Sequence, residues 1–472
     1  MNKDILKDKK HIHFIGIGGS GMYPLAQILH SQGYYLTGSD NNETETLEAV
    51  RKMGIPVFMG QRAENIEGAD LIVHTAAIMA DNPELIAAKA SNAPVLERSE
   101  LLGIVTGWYD NAICVSGTHG KTTTTSMITQ ILFTAGVDLS AFIGGKLPCI
   151  GGSGRAGKSD IMVCEACEFV DTFLKLYPDV AVILNIDEDH LDYFKNLENI
   201  IKSFRKFSEM ATKALIINGD DANTLKAVDG ITGKEFITFG LDSKNDYYAA
   251  NIKKISGMET EYTLMYKGKA LGKINLHVAG VHNILNSLAA AAAAFYANVS
   301  FESIQKGLSD FRGAGRRFEL IGKEKGITIV DDYAHHPTEL SVTLKAAMDM
   351  GYNKVWAVFQ PFTFSRTAIL LDDFAKALSI PDNAVLTDIM GSREKNTYNI
   401  YTRNLAEKID GCIYFPQDEN AEYTDERKYE NFGQVCDYIC ENANDGDLVI
   451  TLGCGDVYKV AKMIYKKLKG QE

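Results

Sequence analysis

Residues 117–122 have the composition of a phosphate-binding loop: Gly117, Thr118, His119, Gly120, Lys121 and Thr122. An apolar run precedes the loop and a stretch with helical spacing follows it, which predicts a strand, the loop and a helix. Glycines let backbone N–H groups converge on an anion at the positive end of that helix. Lys121 can reach terminal phosphate oxygens, and the hydroxyl of Thr122 can bind Mg²⁺. With Thr123, the motif predicts a site for a nucleoside triphosphate, although a glycine turn before a surface helix is the alternative.

Acidic residues follow two later apolar runs, and their positions predict a cation site. Glu165 ends residues 160–165, and the run 180–184 leads into residues 186–192, which hold four acids and His190. The carboxyl ends of parallel strands face the ligand crevice of such sheets. Carboxylates crowded together there are costly without a cation, although a solvated acidic loop is the alternative.

A second glycine motif lies near the N-terminus. Gly16, Gly18 and Gly21 follow a predicted strand and precede a predicted helix over 22–32, and a second strand leads to Ser39 and Asp40. This arrangement is typical of a diphosphate held at a helix N-terminus, with the acid on a ribose. The motif alone leaves NAD, another diphosphate ligand or an unliganded turn open.

The length and charge of the chain limit the number of its domains and the kinds of partner it can bind. With 472 residues and a net charge of −13, we expect two to four domains and no binding to nucleic acid or anionic membrane. Short apolar runs predict no membrane insertion and a cytoplasmic protein. Alternating strands and helices predict an α/β fold, with an antiparallel meander inside residues 235–278. The glycine-rich residues 143–158 are predicted to form a mobile loop.

Polar clusters in the second half of the chain suggest further ligand contacts. Asn283 and Asn286 lie one helical turn apart, so an amide there could contact a base, although helix capping is the alternative for Asn283. Paired arginines at 316 and 317 suit a phosphate, although a surface salt bridge is the usual role of such a pair. Residues 331–337 and 360–367 are polar segments after predicted strands.

Seven motifs in chain order resemble those of the Mur ligase family. They span residues 16–22, 117–122, 165–168, 185–190, 282–286, 315–318 and 331–337. The resemblance implies three domains: a Rossmann-like UDP-sugar domain over 1–107, a central ATP-binding domain over 108–318 with a mostly parallel sheet, and a Rossmann-like C-terminal domain over 319–472. It also reassigns the first glycine motif from NAD to the diphosphate of a UDP-sugar.

The resemblance further implies an activity in peptidoglycan precursor synthesis. The expected reaction joins L-alanine to the lactyl carboxylate of UDP-N-acetylmuramate, consumes ATP with Mg²⁺, and passes through an acyl phosphate. One alternative is a murein-peptide ligase that attaches a tripeptide to the same sugar nucleotide. The alternative from another class is an NAD-dependent oxidoreductase. We expect a monomer or homodimer.

Residue roles are implied by matching positions in the family motifs. Lys121, Glu165, His190 and Arg317 are expected to serve catalysis, with Thr122, Glu165 and His190 as metal ligands. ATP is expected to contact Gly117, Thr118, His119, Gly120, Lys121, Thr122, Thr123, Asn283, Asn286, Arg317 and Asp332. The UDP-sugar is expected to contact Gly18, Gly19, Ser20, Gly21, Met22, Ser39, Asp40 and Thr75. The amino acid is expected to contact Tyr333, His335 and Arg366.

Overall fold

The computed structural model describes residues 3–255, 259–278, 280–391, 394–417 and 430–471. It is an α/β protein with three sheets, which lie in two compact units. The first unit reaches to Phe311 and holds two sheets, and the second begins at Arg312 and holds the third. In the part of the chain that is described, no helix combines the length and apolarity that a membrane crossing requires.

The first sheet has five parallel strands in the order β3-β2-β1-β4-β5. Its strands are β1 His11–Ile15, β2 Tyr35–Asp40, β3 Val57–Met59, β4 Leu71–His74 and β5 Val95–Glu97. Its helices are α1 Tyr23–Ser31, α2 Glu45–Lys52, α3 Pro83–Ala90 and α4 Arg98–Thr106. The chain order changes direction at β1, so the loops after β1, β2 and β4 share one edge, where a ligand crevice is expected.

The central sheet has ten strands in the order β15-β14-β13-β12-β11-β10-β6-β9-β7-β8. Its strands are β6 Asn111–Ser116, β7 Ser140–Leu147, β8 Gly152–Arg155, β9 Ile161–Glu165, β10 Val180–Ile183, β11 Ala214–Asn218, β12 Glu235–Gly240, β13 Tyr247–Lys254, β14 Thr260–Tyr266 and β15 Lys269–Leu276. Its helices are α5 Lys121–Thr134, α6 Leu191–Phe194, α7 Leu197–Met210, α8 Ala222–Val228, α9 Val281–Tyr296 and α10 Phe301–Asp310. Strands β13 to β15 form the predicted antiparallel meander.

The third sheet has six strands in the order β16-β17-β21-β18-β19-β20 and is parallel except for β16. Its strands are β16 Glu319–Glu324, β17 Ile327–Asp332, β18 Val355–Phe359, β19 Asn383–Thr387, β20 Ile413–Phe415 and β21 Leu448–Leu452. Its helices are α11 Pro337–Met348, α12 Phe364–Ile369, α13 Leu371–Leu378, α14 Thr402–Ala406, α15 Glu430–Asn442 and α16 Tyr458–Leu468.

The glycine-rich segment 143–158 is not the loop that was predicted, because much of it forms the antiparallel pair β7 and β8. Its glycines permit close packing. A Cβ atom on Gly154 would lie 2.4 Å from the Cβ of Pro24 in α1, and one on Gly144 would lie 2.6 Å from Glu165 Oε1. The pair therefore packs against the first sheet's α1 and lies beside a predicted metal ligand.

Candidate active site

The glycine loop after β6 has the conformation that its sequence predicts. Gly117 has a φ of 151° and Gly120 a φ of 85°, values that side chains with a Cβ rarely adopt. Helix α5 begins directly after Gly120, at Lys121. A Cβ on Gly120 would lie 2.5 Å from Asn286 Oδ1, so α9 packs closely against the loop. Residues 118–120 therefore meet the N-terminus of a helix, where an anion is favoured.

The ammonium group of Lys121 is almost enclosed, with its side chain 15% exposed. It donates to Gly117 O at 2.6 Å, to Thr118 O at 3.0 Å and to Glu168 Oε1 at 2.9 Å. Burial alone would lower the pKa of Lys121, but the charge and hydrogen bond of Glu168, together with the smaller effects of Cys167 and Glu165, outweigh burial and raise it. The lysine is therefore held as a cation beneath the loop.

Glu165, at the end of β9, joins the start of α5 to β7. Its Oε1 accepts a hydrogen bond from the Thr122 hydroxyl at 3.1 Å, and its Oε2 accepts from Gly144 N at 2.8 Å. Strands β9 and β6 are neighbours in the sheet, which explains how residues so far apart in sequence meet. The hydroxyl and carboxylate form the pair that was predicted to bind one Mg²⁺.

A second group of metal-ligand type combines Glu168, Asp189 and His190. One ligand atom from each residue lies within 4.8 Å of the others. His190 has a φ of 50° and its ring lies 4.6 Å from the ring of Phe169, centroid to centroid. The Oε2 atom of Glu168 is buried without a hydrogen-bond partner among the described residues. An oxygen left unsatisfied beside an acid and an imidazole fits a divalent cation.

Hydrogen bonds join the loop after β10 to the glycine loop after β6. Asn185 Oδ1 accepts from His119 N at 2.8 Å, and Asn185 Nδ2 donates to His119 O at 3.1 Å. The hydroxyl of Thr118 accepts from Asp187 N at 2.9 Å. These contacts fix the acidic segment next to Lys121 and explain why the phosphate and cation motifs lie together.

The two asparagines of α9 do share a face. Asn286 Nδ2 donates to Asn283 Oδ1 at 3.0 Å, and Asn286 is only 5% exposed. Burial, and to a lesser extent the charge of His119, lower the pKa of His282. The predicted contact of both asparagines with adenine stays a prediction.

The first sheet presents its glycine loop beside Asp40. Gly18 N donates to Asp40 Oδ2 at 2.9 Å, and a Cβ on Gly16 would lie 2.8 Å from Thr75 Cγ2. A Cβ on Gly21 would lie 3.0 Å from Cδ of Arg98, the first residue of α4. These contacts place the loops after β1, β2 and β4 together, with an arginine beside them.

Other members of the predicted UDP-sugar set differ in exposure. Ser20 is exposed, Gly19 is half-buried, and Met22 is 1% exposed and packs in the core. Ser39 is fully buried, and its hydroxyl donates to Glu84 Oε2 at 2.6 Å, so that hydroxyl faces the interior. Their contacts with a UDP-sugar stay predictions.

In the second unit, Arg316 has a structural position. Its Nε donates to the buried Asp331 Oδ2 at 2.9 Å, and its guanidinium lies 5.0 Å from the Tyr333 ring centroid. The neighbouring guanidinium of Arg317 lies 5.5 Å from the same ring. Arg316 therefore fixes the start of the unit, and Tyr333 lies against both cations.

Asp332 holds the backbone around it. Its Oδ2 accepts from Phe318 N at 2.7 Å and its Oδ1 from Ala334 N at 2.9 Å, and it is 7% exposed. Burial raises the pKa of Asp332 to about 6, although the nearby charge of Arg317 opposes this shift. The expected contact with ribose stays a prediction, because both oxygens already accept backbone hydrogen bonds.

His335 and Arg366 lie near one another beyond the carboxyl ends of β17 and β18. His335 Nδ1 lies 3.0 Å from Tyr333 O, and burial lowers the pKa of its imidazole while Glu339 opposes that shift. The positive charge of Arg366 lowers the pKa of the same imidazole further. Nη1 of Arg366 is buried and has no hydrogen-bond partner among the described residues. A guanidinium with a free donor can receive a carboxylate.

Sequence reasoning assigned no role to two residues that the structure places at these sites. Glu168 contacts Lys121, and its signal was an acid three residues after Glu165. Arg98 lies beside Gly21 and follows β5, whose three residues are too short to show a strand pattern. The rule that ligands gather after strand ends would have found Arg98 had β5 been recognised.

Three family models match the chain in order. They are the Mur ligase family catalytic domain over residues 11–107, the Mur ligase middle domain over 115–294, and the Mur ligase glutamate ligase domain over 316–455. Together they span most of the chain. The protein therefore belongs to the Mur ligase family, as its seven motifs predicted.

Several proteins that are similar to this chain are Mur ligases of one kind. A UDP-N-acetylmuramate–L-alanine ligase of Acetivibrio thermocellus is 44% identical over 466 residues, 97% of this chain and 96% of that protein. The ligase of the same name from Agathobacter rectalis is 44% identical over 460 residues, 97% and 98% of the two chains. A crystal structure of the UDP-N-acetylmuramate–alanine ligase of Thermotoga maritima has a TM-score of 0.79 at 27% identity, covering 98% and 99%.

The raised pKa of Asp332 predicts a pH-dependent stability. Relative to its ordinary value of 3.8, a folded-state value of about 6 favours the protonated form in the native protein. The associated stabilisation is complete below pH 3.8 and is lost as the pH rises through 6, about 3 kcal/mol in all. Because asparagine does not ionise, Asp332→Asn should gain stability relative to the native protein between pH 4 and pH 7.5.

Denaturant unfolding of both proteins across this range measures the difference. Asp373→Asn is the control, since Asp373 lies in α13 with a 56% exposed side chain. A difference between the native protein and Asp332→Asn that stays constant with pH would contradict the assignment.

Proposed function

We propose that the protein joins L-alanine to the lactyl carboxylate of UDP-N-acetylmuramate at the expense of ATP, in peptidoglycan precursor synthesis. The observation that carries this function is the site around Lys121, Thr122 and Glu165, in a chain 44% identical over nearly its whole length to ligases of that name. We place the reaction in the cytoplasm and divide the chain into domains 1–107, 108–318 and 319–472.

The reaction needs two steps because a carboxylate has no good leaving group. A lactyl carboxylate oxygen attacks the γ-phosphorus of ATP, ADP leaves, and an acyl phosphate forms. The amine of L-alanine then attacks the acyl carbon, loses a proton, and phosphate leaves with the bonding electrons. The first step brings two anions together, so cationic groups must offset their repulsion.

The chain supplies those groups around the glycine loop. Lys121 leaves its carbonyl acceptors and Glu168 to bind phosphate oxygens, while N–H groups of residues 117–123 receive the triphosphate. Thr122 and Glu165 would hold one Mg²⁺, and His190, with Glu168 and Asp189 beside it, would hold a second. Mg²⁺ neutralises phosphate charge when bound. Arg317 is proposed to act on the transferring phosphoryl group.

The remaining substrates are assigned to sites in both units. The UDP-sugar binds the loops after β1, β2 and β4, at Gly18–Gly21, Asp40 and Thr75, with Arg98 added from the structure. The adenine contacts Asn283 and Asn286. L-alanine binds near Tyr333 and His335, with its carboxylate on Nη1 of Arg366, which has no hydrogen-bond partner within the described part of the chain.

Acceptor choice tests this function directly. Purified protein with ATP, Mg²⁺ and UDP-N-acetylmuramate should release phosphate when L-alanine is added, because the amine is needed to complete the second step. The measurement is released phosphate together with mass detection of the UDP-N-acetylmuramoyl-alanine product.

The other outcomes identify the alternatives. Release with an L-alanine-containing tripeptide but not with L-alanine would indicate a murein-peptide ligase. Oxidation or reduction of a nicotinamide without phosphate release would indicate an oxidoreductase. Either result would overturn the proposed function.

Replacing Arg366 tests the amino-acid site. Arg366→Gln should raise the KM for L-alanine about tenfold or more, since a charge-assisted bidentate contact is worth at least ~1.4 kcal/mol. The KM for ATP should change much less. Initial rates at varied L-alanine concentration measure the effect. Arg403→Gln is the control, because the Arg403 guanidinium lies over the exposed ring of Tyr401 in the same unit. An unchanged KM for L-alanine would remove Arg366 from the site.

A further inference from the structure

A line of hydrogen-bonded side chains runs from the half-buried His11, at the start of β1, to the fully buried Glu84 of α3. His13 and Glu84 are both fully buried, and His13 Nε2 lies 2.8 Å from Glu84 Oε1. His13 Nδ1 lies 2.8 Å from Thr37 Oγ1, and His11 Nε2 lies 2.8 Å from the same hydroxyl oxygen. His11 Nδ1 lies 2.8 Å from Gly68 O. We call His11, Thr37, His13 and Glu84 the buried relay.

Glu84 is held on its other side as well. Its Oε2 accepts from the Ser39 hydroxyl at 2.6 Å, and it lies in the first turn of α3, where a carboxylate is favoured. Few other ionisable groups adjoin the relay. Asp70 accepts from Lys10 N and His11 N, both at 2.9 Å, and Asp40 accepts from Gly18 N.

The relay ends at the residue that shapes the glycine loop. The carbonyl of Ser39 accepts from Gly16 N at 2.8 Å and from Ile17 N at 3.0 Å. The side chain of Ser39 is held by Glu84, so the position of the carboxylate sets the position of that carbonyl. The next residue, Asp40, receives the N–H of Gly18.

We propose that Glu84 is a positioning residue for the UDP-sugar site, acting through Ser39. The proposal rests on the proposed function, because it needs a UDP-sugar at the loop after β1. Glu84 itself is fully buried, so it acts through its neighbours. Its removal leaves the Ser39 hydroxyl and the His13 ring without a charged partner, so the loop relaxes and substrate binding weakens.

The experiment measures ligand binding to the full-length protein. Calorimetric titration should show binding of UDP-N-acetylmuramate about tenfold or more weaker in Glu84→Gln, with ATP binding unchanged. Glu64→Gln, which removes an exposed acid between β3 and β4, should match the native protein for both ligands.

Ser39→Ala keeps the experiment decisive if Glu84→Gln does not fold. It removes only the donor to Glu84, so it should also weaken UDP-N-acetylmuramate binding. Native-like sugar-nucleotide affinity in both folded variants would overturn the proposal. A native protein that binds ATP but no UDP-N-acetylmuramate would instead overturn the proposed function.

Discussion

The site depends on a lysine ammonium held under a glycine loop with a buried carboxylate as its counter-charge. Burial disfavours the charge of Lys121, yet Glu168 and the acidic groups near it raise its pKa, and the ammonium has three acceptors. A buried ion pair adds little to stability by itself, because desolvation offsets the attraction. Its value here is functional: the cation is ready, and phosphate oxygens can replace acceptors that already lie around it.

The order of strands in the central sheet makes this contact possible. Strand β6 lies between β9 and β10, so the glycine loop, Glu165 and the acidic segment after β10 all leave the sheet at one edge. The Asn185 contacts with His119 then lock two of these segments together. The residues expected to bind the cation and those expected to bind phosphate therefore lie next to each other at this edge of the sheet.

Much of the fold and of the candidate site could be predicted from sequence, because local patterns determine local structure. Helix α1 and the meander of β13 to β15 fall where the sequence predicted them, and the motif after β6 identified the loop. The prediction of a loop over 143–158 was wrong, because the glycines of this segment permit close packing against Pro24 and Glu165, which no local pattern reveals. Glu168 and Glu84 were missed for a related reason: their partners, Lys121, His13 and Ser39, lie tens of residues away.

Nucleotide binding by Lys121→Ala tests the central claim most directly. Calorimetric titration with Mg²⁺ and ATP should show an affinity at least ~100-fold below that of the native protein, about 2.7 kcal/mol, because charged hydrogen bonds to phosphate are lost. Lys202→Ala, on an exposed lysine of α7, should bind as the native protein does. If folded Lys121→Ala binds ATP with native affinity, the glycine loop is not the triphosphate site and the account fails.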